Sequence, residues 1–432
     1  VRVYFHTFGC KANQYDTERM RQEAEARGAT TVGSWIDAEV CVVNTCTVTN
    51  HADAKARRFV RRVARENPAL RIVVAGCSAV LRSPSYHAME EVDGVVEGHD
   101  PVAVAGTFLP GPTVQIGLGA SLDRMHVEPM GGEILQRRAG ATRGWLKVQD
   151  GCDRRCSFCA TRLARGASRS RPPDQVVREA QALAGAHPEL VATGIHIGHY
   201  GRDLDPPWTL ARLVALVLER VPDIRLRLGS VEATEVDDDL LALLAGSGGR
   251  LAPHLHMPLQ SGADAVLRGM RRWHTREQYR RRVLEISERV GPMGMGADII
   301  TGFPGETEED HTLTKDLVGE LPFTYLHVFP FSPRDGTPAA ERSGRIPQRV
   351  AGERARELRE LGQTKGFSYR SRMAGSRARV VLEDRGSTAL TGDYLRVGVL
   401  EPPRVSAGIL EGTLQGQGGH LDIAWPRENP SN

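Results

Sequence analysis

"GCDRRCSFC", residues 151–159, places Cys152, Cys156 and Cys159 within nine residues. Three thiols in a CxxxCxxC spacing follow the apolar stretch Trp145–Val148. The chain has seven cysteines in 432 residues, the other four being Cys10, Cys41, Cys46 and Cys77. The number is odd, the chain is long, and the N-terminus, "VRVYFHTFG", reads as a strand rather than an export signal. These features argue against a disulfide framework and for metal or redox chemistry in the cytoplasm. A structural zinc takes four ligands, usually in two paired groups, and neither a second CxxC nor a local HxxxH accompanies the loop. A dithiol pair at Cys156 and Cys159 leaves Cys152 unexplained. A four-iron cluster on three thiolates fits better. It leaves one iron open, as a catalytic metal site keeps a free position.

Outward from the loop, strand and helix patterns alternate. Strands are predicted at Trp145–Val148, Leu190–Thr193, Ile224–Leu228, His254–Leu259, Ala297–Ile300 and Tyr325–Phe329, with helical segments between them. Six such units make a partial (β/α)6 barrel over residues 138–370, and parallel α/β folds build their sites at the C-terminal ends of strands. Residues 1–120 alternate in the same way. "VRVYF", "EVCVVN", "RIVVAG" and "VDGVVEG" read as buried parallel strands of a small doubly wound domain. Cys10, Cys46 and Cys77 each follow one of these strands, so a parallel sheet would bring them to one edge. Cys41 lies inside its strand and reads as core. The stretch "FLPGPTVQIGLGAS" reads as a linker. Residues 371–432 change character: "RARVVLED", "YLRVGVL" and "GHLDIAW" are short strands with Gly-rich turns, as in a small β-barrel.

The composition is that of a soluble globular protein, 40% hydrophobic and 25% charged, and no apolar run is long enough to span a membrane. The net charge of +3 is unevenly spread. Ten Lys/Arg between Arg137 and Arg171 face Asp150 and Asp153, and ten more between Arg345 and Arg379 face Glu353, Glu357 and Glu360. Lys55, Arg57, Arg58, Arg61, Arg62 and Arg65 crowd a third stretch. A single run of this kind can be a solvated helix face. Three of them beside the cysteine segments point to a polyanionic partner, nucleic acid in the first place.

The CxxxCxxC loop at the end of the first barrel strand resembles the radical S-adenosylmethionine (SAM) superfamily. "DGCDRRCSFCATRLARGASRSR" is similar to its methylthiotransferase branch. "TFGCKANQYDTE", "VVNTCTVT" and "AGC" resemble the N-terminal domain of that branch, although "GCSAV" departs from the aromatic residue and Gln usual there. "ATGIHIGHYG", "LGSVEATE", "HMPLQSG", "ADIITGFPGETEED" and "FPFSPRDGTPAA" follow the family's order. The resemblance implies two [4Fe–4S] clusters, one on Cys152, Cys156 and Cys159 and one on Cys10, Cys46 and Cys77. It implies SAM bound at the open iron of the first and cleaved by one-electron reduction to methionine and a 5′-deoxyadenosyl radical. Thr193, Gly194, Ser230, Glu232, Gln260 and Ile300 are the implied SAM contacts, with Phe158 presenting its backbone to the adenine. The C-terminal module resembles a TRAM domain, an RNA-binding β-barrel.

The implied reaction replaces C2–H of an adenine in the tRNA anticodon loop with C2–SCH3. That carbon is neither acidic nor nucleophilic, so a radical route is required. A one-electron donor such as flavodoxin or ferredoxin and a sulfur donor are implied partners. "GCKANQYDTE" looks most like the branch acting on N6-threonylcarbamoyladenosine at tRNA position 37. Isopentenyladenosine in tRNA and ribosomal protein S12 are the alternatives within the family. A non-catalytic iron–sulfur RNA-binding protein is the alternative outside it. A threonylcarbamoyl group brings a carboxylate that a dry site must pair. Lys11, Asn13, Gln14, Arg165, Arg169 and Arg171 are the candidate partners.

Overall fold

The computed structural model describes residues 1–47, 50–110, 134–403, 408–417 and 419–426. The predicted linker passes outside the described residues after Pro110. The N-terminal sheet comprises β1 (Arg2–Thr7), β2 (Thr30–Thr31), β3 (Val40–Thr45), β4 (Arg71–Gly76) and β5 (Gly94–Val95). All neighbours are parallel, in the order β2-β1-β3-β4-β5. Every residue of β3 is buried. Val40 and Val42 pack with Met20 and Val104 in one cluster, and Cys41 and Val43 with Val60 and Tyr86 in another. A strand covered on both faces must be apolar at successive positions, which is why "VCVV" shows no alternation. Chain order reverses between β1 and β3, and ligands of such sheets bind at that switch point. Cys10 and Cys46 follow these two strands.

The central region begins with β6 (Arg143–Lys147) and a two-residue clip in which β7 (Gln149–Asp150) pairs antiparallel with β8 (Arg169–Ser170). The clip closes the base of the cysteine loop. Next come β9 (Glu189–Thr193), β10 (Arg225–Leu228), β11 (His254–His256), β12 (Gly294–Thr301) and β13 (Tyr325–Pro330). They form two parallel three-stranded sheets, β6-β9-β10 and β11-β12-β13, stitched by the parallel bridges Leu226–Leu251 and Ser230–His256. These are the six strands of the predicted partial barrel. The strand expected at His254–Leu259 stops at His256. Pro258 has no N–H to donate, and Gln260 turns with φ 68°. The 26-residue helix Gln348–Met373 then packs along β13, where Arg359 donates to the Val328 carbonyl at 2.8 Å.

The chain ends in a closed barrel of β14 (Arg377–Glu383), β15 (Thr388–Thr391), β16 (Arg396–Val399), β17 (Leu410–Gln415) and β18 (Asp422–Ala424), in the order β14-β15-β16-β18-β17. Its core is Val380, Leu382, Ala389, Val397, Leu414 and Ile423. β15 ("TALT") and β17 ("LEGTLQ") lack the apolar alternation that marks the other three, so the sequence reading passes over them. This barrel docks on the central one through Arg225 and Arg227. Arg225 donates to the carbonyls of Arg379 (2.7 Å) and Leu390 (3.1 Å), and Arg227 to those of Thr391 (2.9 Å) and Gly392 (2.8 Å). Glu189 holds both guanidiniums, at 2.5 and 2.8 Å. Among the described residues no helix is long and apolar enough to cross a membrane.

Candidate active site: one thiol triad on strand ends and one on a loop

The N-terminal triad is assembled from three strand ends. Cys10 caps the helix Lys11–Ala26, and Cys77 opens the helix Cys77–His87. Two of the three thiols therefore sit at helix N-termini, where partial positive charge favours an anion. Cys46 packs behind Gly9: a Cβ at residue 9 would sit 2.7 Å from the Cys46 sulfur. Gly76, just before Cys77, has φ 97°, and a Cβ there would come within 2.5 Å of the Thr45 carbonyl oxygen. Only glycine turns the chain from β4 into the site at that point. Burial pushes the Cys77 thiol up to about 12; Arg165 opposes this, and the neighbouring Cys10 and Cys46 add to it. Cys41 stays buried inside β3, as predicted.

The second triad lies on a single loop. Gly151 turns with φ 68° directly before Cys152, and a Cβ there would overlap the Ala167 carbonyl. The Cys152 N–H donates to the Gly166 carbonyl at 3.1 Å. Ser157 pins the loop to the barrel, donating its N–H to Met270 (2.9 Å) and accepting from Ala339 (2.8 Å). Phe158 packs with Val266, Met270, Phe303 and Ala339. Burial pushes Cys152 up to about 12, opposed by the Arg154 backbone N–H and reinforced by Cys159 and Cys156.

In neither triad do all three sulfurs lie within 4.8 Å of one another. Three thiolates on one zinc, at ~2.3 Å each, would be about 3.8 Å apart. Both donor sets are all-sulfur, the ligand type that iron–sulfur clusters take.

The sequence-nominated barrel residues occupy one rim. Thr193 ends β9, and Gly194 follows it so closely packed that a Cβ would meet the Gln149 carbonyl at 2.6 Å. Ser230 is exposed just beyond β10, and Glu232 is buried two residues on. Gln260 follows β11, bridging to Ile299, and Ile300 is near the end of β12. Burial raises Glu232 to about 7, with Arg272 pulling it back. Arg272 pairs with Glu232 and also reaches the Cys156 sulfur at 3.8 Å.

Sequence reasoning missed several residues that touch the thiols. His196 lies 3.6 Å from the Cys152 sulfur, and its other ring nitrogen is 2.7 Å from Glu235. His199 and Arg154 also hold Glu235, at 3.0 and 2.8 Å. Burial would raise Glu235, but these partners outweigh it and hold the carboxyl well below the usual range. The signal was present: "HIGH" puts two histidines on one turn. His99 lies 3.5 Å from the Cys77 sulfur, with no local motif to mark it.

Arg165 joins the two halves. Its guanidinium donates to the Cys77 sulfur (3.3 Å), Asn13 (2.6 Å), Asp16 (2.7 Å) and Asp150 (2.9 Å). Lys147 completes the group, pairing with Asp16 at 2.8 Å and Asp150 at 2.6 Å. Two carboxylates from different domains thus face two cations in a balanced buried network, and desolvation is offset by geometry. Arg171 is likewise engaged, with Glu179 at 2.8 Å. Asn13, Arg165 and Arg171 are therefore structural and leave the set of candidate carboxylate partners.

A partial parallel barrel with a three-cysteine loop after its first strand defines a radical SAM protein, a class that implies a [4Fe–4S] cluster and SAM. Residues 146–318 match the radical SAM superfamily profile, and residues 2–97 match the profile described as uncharacterized protein family UPF0004. The chain belongs to the radical SAM methylthiotransferase family. It is 35% identical over 396 residues to threonylcarbamoyladenosine tRNA methylthiotransferase MtaB of Bacillus subtilis, covering 88% of this chain and 85% of that one. It is also 35% identical to the protein of the same name from Rickettsia prowazekii, covering 92% and 91%. A tRNA-2-methylthio-N(6)-dimethylallyladenosine synthase of Bacillus cereus is 31% identical, covering 92% and 80%. Among solved structures, the radical SAM methyltransferase TsrM of Kitasatospora setae shares the fold, with a TM-score of 0.57 at 18% identity over 78% of this chain and 77% of that one.

Proposed function

We propose that this chain converts N6-threonylcarbamoyladenosine at tRNA position 37 to its 2-methylthio derivative. The pair of thiol triads, one per domain, carries the methylthiotransferase chemistry, and the similarity to proteins named for this substrate carries the choice of adenosine. Proteins named for this activity match the chain at 35% identity over about nine-tenths of its length. Cys152, Cys156 and Cys159 would hold the cluster at which SAM is cleaved, and Cys10, Cys46 and Cys77 a second cluster that supplies the sulfur. Thr193, Gly194, Ser230, Glu232, Gln260, Ile300 and Phe158 line the rim where SAM would lie. Gly194 lets the backbone come close, and Glu232 with Arg272 offers a paired charge beside Cys156. Arg165 and Arg272 donate toward the Cys77 and Cys156 sulfurs, and His99 and His196 lie beside Cys77 and Cys152. Hydrogen bonds and charge near a cluster set its potential.

The C-terminal barrel serves as a TRAM-like RNA-binding module, and with the 138–370 barrel and the 1–120 domain it makes three functional units. Its tRNA contacts should weaken as salt rises, because Lys/Arg contacts to phosphate release counterions. A one-electron reductant of the flavodoxin or ferredoxin kind and a sulfur donor complete the reaction, which takes place in the cytoplasm with its tRNA. The test offers the reconstituted protein threonylcarbamoyl-tRNA, isopentenyl-tRNA and ribosomal protein S12 under reducing conditions. Methylthiolation of the first is the expected result; methylthiolation confined to either of the others overturns the substrate.

A further inference from the structure

A cavity of about 560 Å³ opens where the three parts of the chain meet. The helix after Cys10 contributes Lys11 and Gln14, the segment entering β6 contributes Arg138, Arg143 and Trp145, and the C-terminal barrel contributes Glu383, Asp384, Arg385 and Arg396. The volume is that of a small-molecule site. The wall is strongly cationic: five Lys/Arg side chains face two carboxylates. Those carboxylates are already taken. Glu383 pairs with Arg143 at 2.7 Å and with Arg396 at 3.0 Å, and Asp384 with Arg396 at 3.3 Å.

Three cations are left over. Arg138 lies 4.0 Å over the Trp145 ring and donates to Gln14 and to the Arg143 carbonyl, with no ion pair to a carboxylate among the described residues. Arg385 is exposed at the mouth. Lys11 is partly covered, and its ammonium has no hydrogen bond or ion pair among the described residues. Glu189, the carboxylate whose charge acts on it, is held by Arg225 and Arg227. A lysine drawn into a cavity without a counter-charge is held at a cost unless an anion joins it.

We infer that this cavity receives the anionic end of the threonylcarbamoyl group and that Lys11 is the cation that pairs with its carboxylate; the inference rests on the substrate proposed above. The geometry of the base supports it. In adenine, C2 and the carbon bearing N6 flank a single ring nitrogen. A base presenting C2 to the Cys10 triad therefore points its N6 substituent to one side of that triad, and Lys11 is the residue next to Cys10. An isopentenyl substituent has no anion and would leave Lys11 unpaired. Rejection of such an analogue then follows from the group it strands, not from a clash. The same cation could instead take a backbone phosphate, and the experiment separates the two.

The test measures equilibrium binding of the reconstituted holoprotein to two anticodon stem-loops at one salt concentration, identical but for threonylcarbamoyl on the adenosine. The native chain should prefer the modified loop by roughly 10- to 100-fold, the worth of one charge-assisted hydrogen bond. Lys11→Met should erase that preference by weakening only the modified loop, with iron content unchanged, and Lys11→Arg should restore most of it. Equal weakening of both loops by Lys11→Met means a phosphate contact and overturns the inference, as does a preference that survives the substitution. If the native chain fails to methylthiolate the modified loop but binds it in a Lys11-dependent way, the proposed reaction falls and the carboxylate site stands.

Discussion

The two triads reach a similar donor set by opposite routes. Cys152, Cys156 and Cys159 share one loop, closed at its base by the β7–β8 clip and pinned through Ser157. Cys10, Cys46 and Cys77 lie tens of residues apart and meet because β1, β3 and β4 are adjacent and parallel. The loop triad is local and more open: Cys159 is exposed, and Cys152 and Cys156 are partly covered. The sheet triad is set deeper, with Cys46 and Cys77 buried and Cys10 exposed at the rim. One triad can be disturbed by changing a loop; the other is as secure as the sheet beneath it. An accessible cluster suits a small cofactor that comes and goes. The cluster proposed on the sheet triad would sit at a rigid sheet edge, which suits a group held until the substrate arrives.

The largest effect should come from the loop triad. Replacing Cys152, Cys156 and Cys159 together by Ala should reduce SAM cleavage to background while the fold survives. 5′-Deoxyadenosine formation and circular dichroism measure the two.

Arg165→Met probes the joint between the triads. It leaves Asp16 and Asp150 sharing one permanent cation, Lys147, and breaking a buried pair this way costs about 3–5 kcal/mol. Urea denaturation should show the loss, together with loosening of the sheet triad but not of the loop triad.

The same contrast governs what the sequence reveals. The CxxxCxxC spacing is visible in nine residues because both the ligands and the turn that presents them are local. The sheet triad is legible only after strands have been assigned, since its members converge through topology. Arg165 was visible as one of many basic residues. Its role depends on Asp16 and Asn13, about 150 positions away, so no local pattern could mark it. Lys11 and Arg171 looked equivalent in sequence; only the distance to Glu179 shows that Arg171 is spent. The C-terminal barrel lost two strands to the reading because short Thr- and Gly-rich segments carry little periodicity.

Glu189 tests how the third part is attached. Burial opposes its ionisation, but Arg227 and Arg225 prevail and lower its carboxyl to about 2. A depressed carboxyl contributes stability that is present above its unfolded value near 4.5 and is lost as pH falls toward 2. Acid titration should therefore loosen the C-terminal barrel between those limits. Glu189→Gln should remove that pH dependence and lower stability at neutral pH by up to about 3 kcal/mol.

The smallest effect belongs to Cys41. It is a cysteine of β3 that faces the core, so Cys41→Ala should cost about 1 kcal/mol from the small cavity and leave the iron content and both reactions unchanged.

The division of labour between the triads is tested most directly by replacing Cys10, Cys46 and Cys77 together by Ala and assaying both products in one reaction with threonylcarbamoyl-tRNA. The account predicts that the variant keeps half of the iron, still forms 5′-deoxyadenosine from SAM and makes no methylthio-adenosine. Methylthiolated tRNA from this variant, or loss of SAM cleavage with the loop cluster intact, would contradict it.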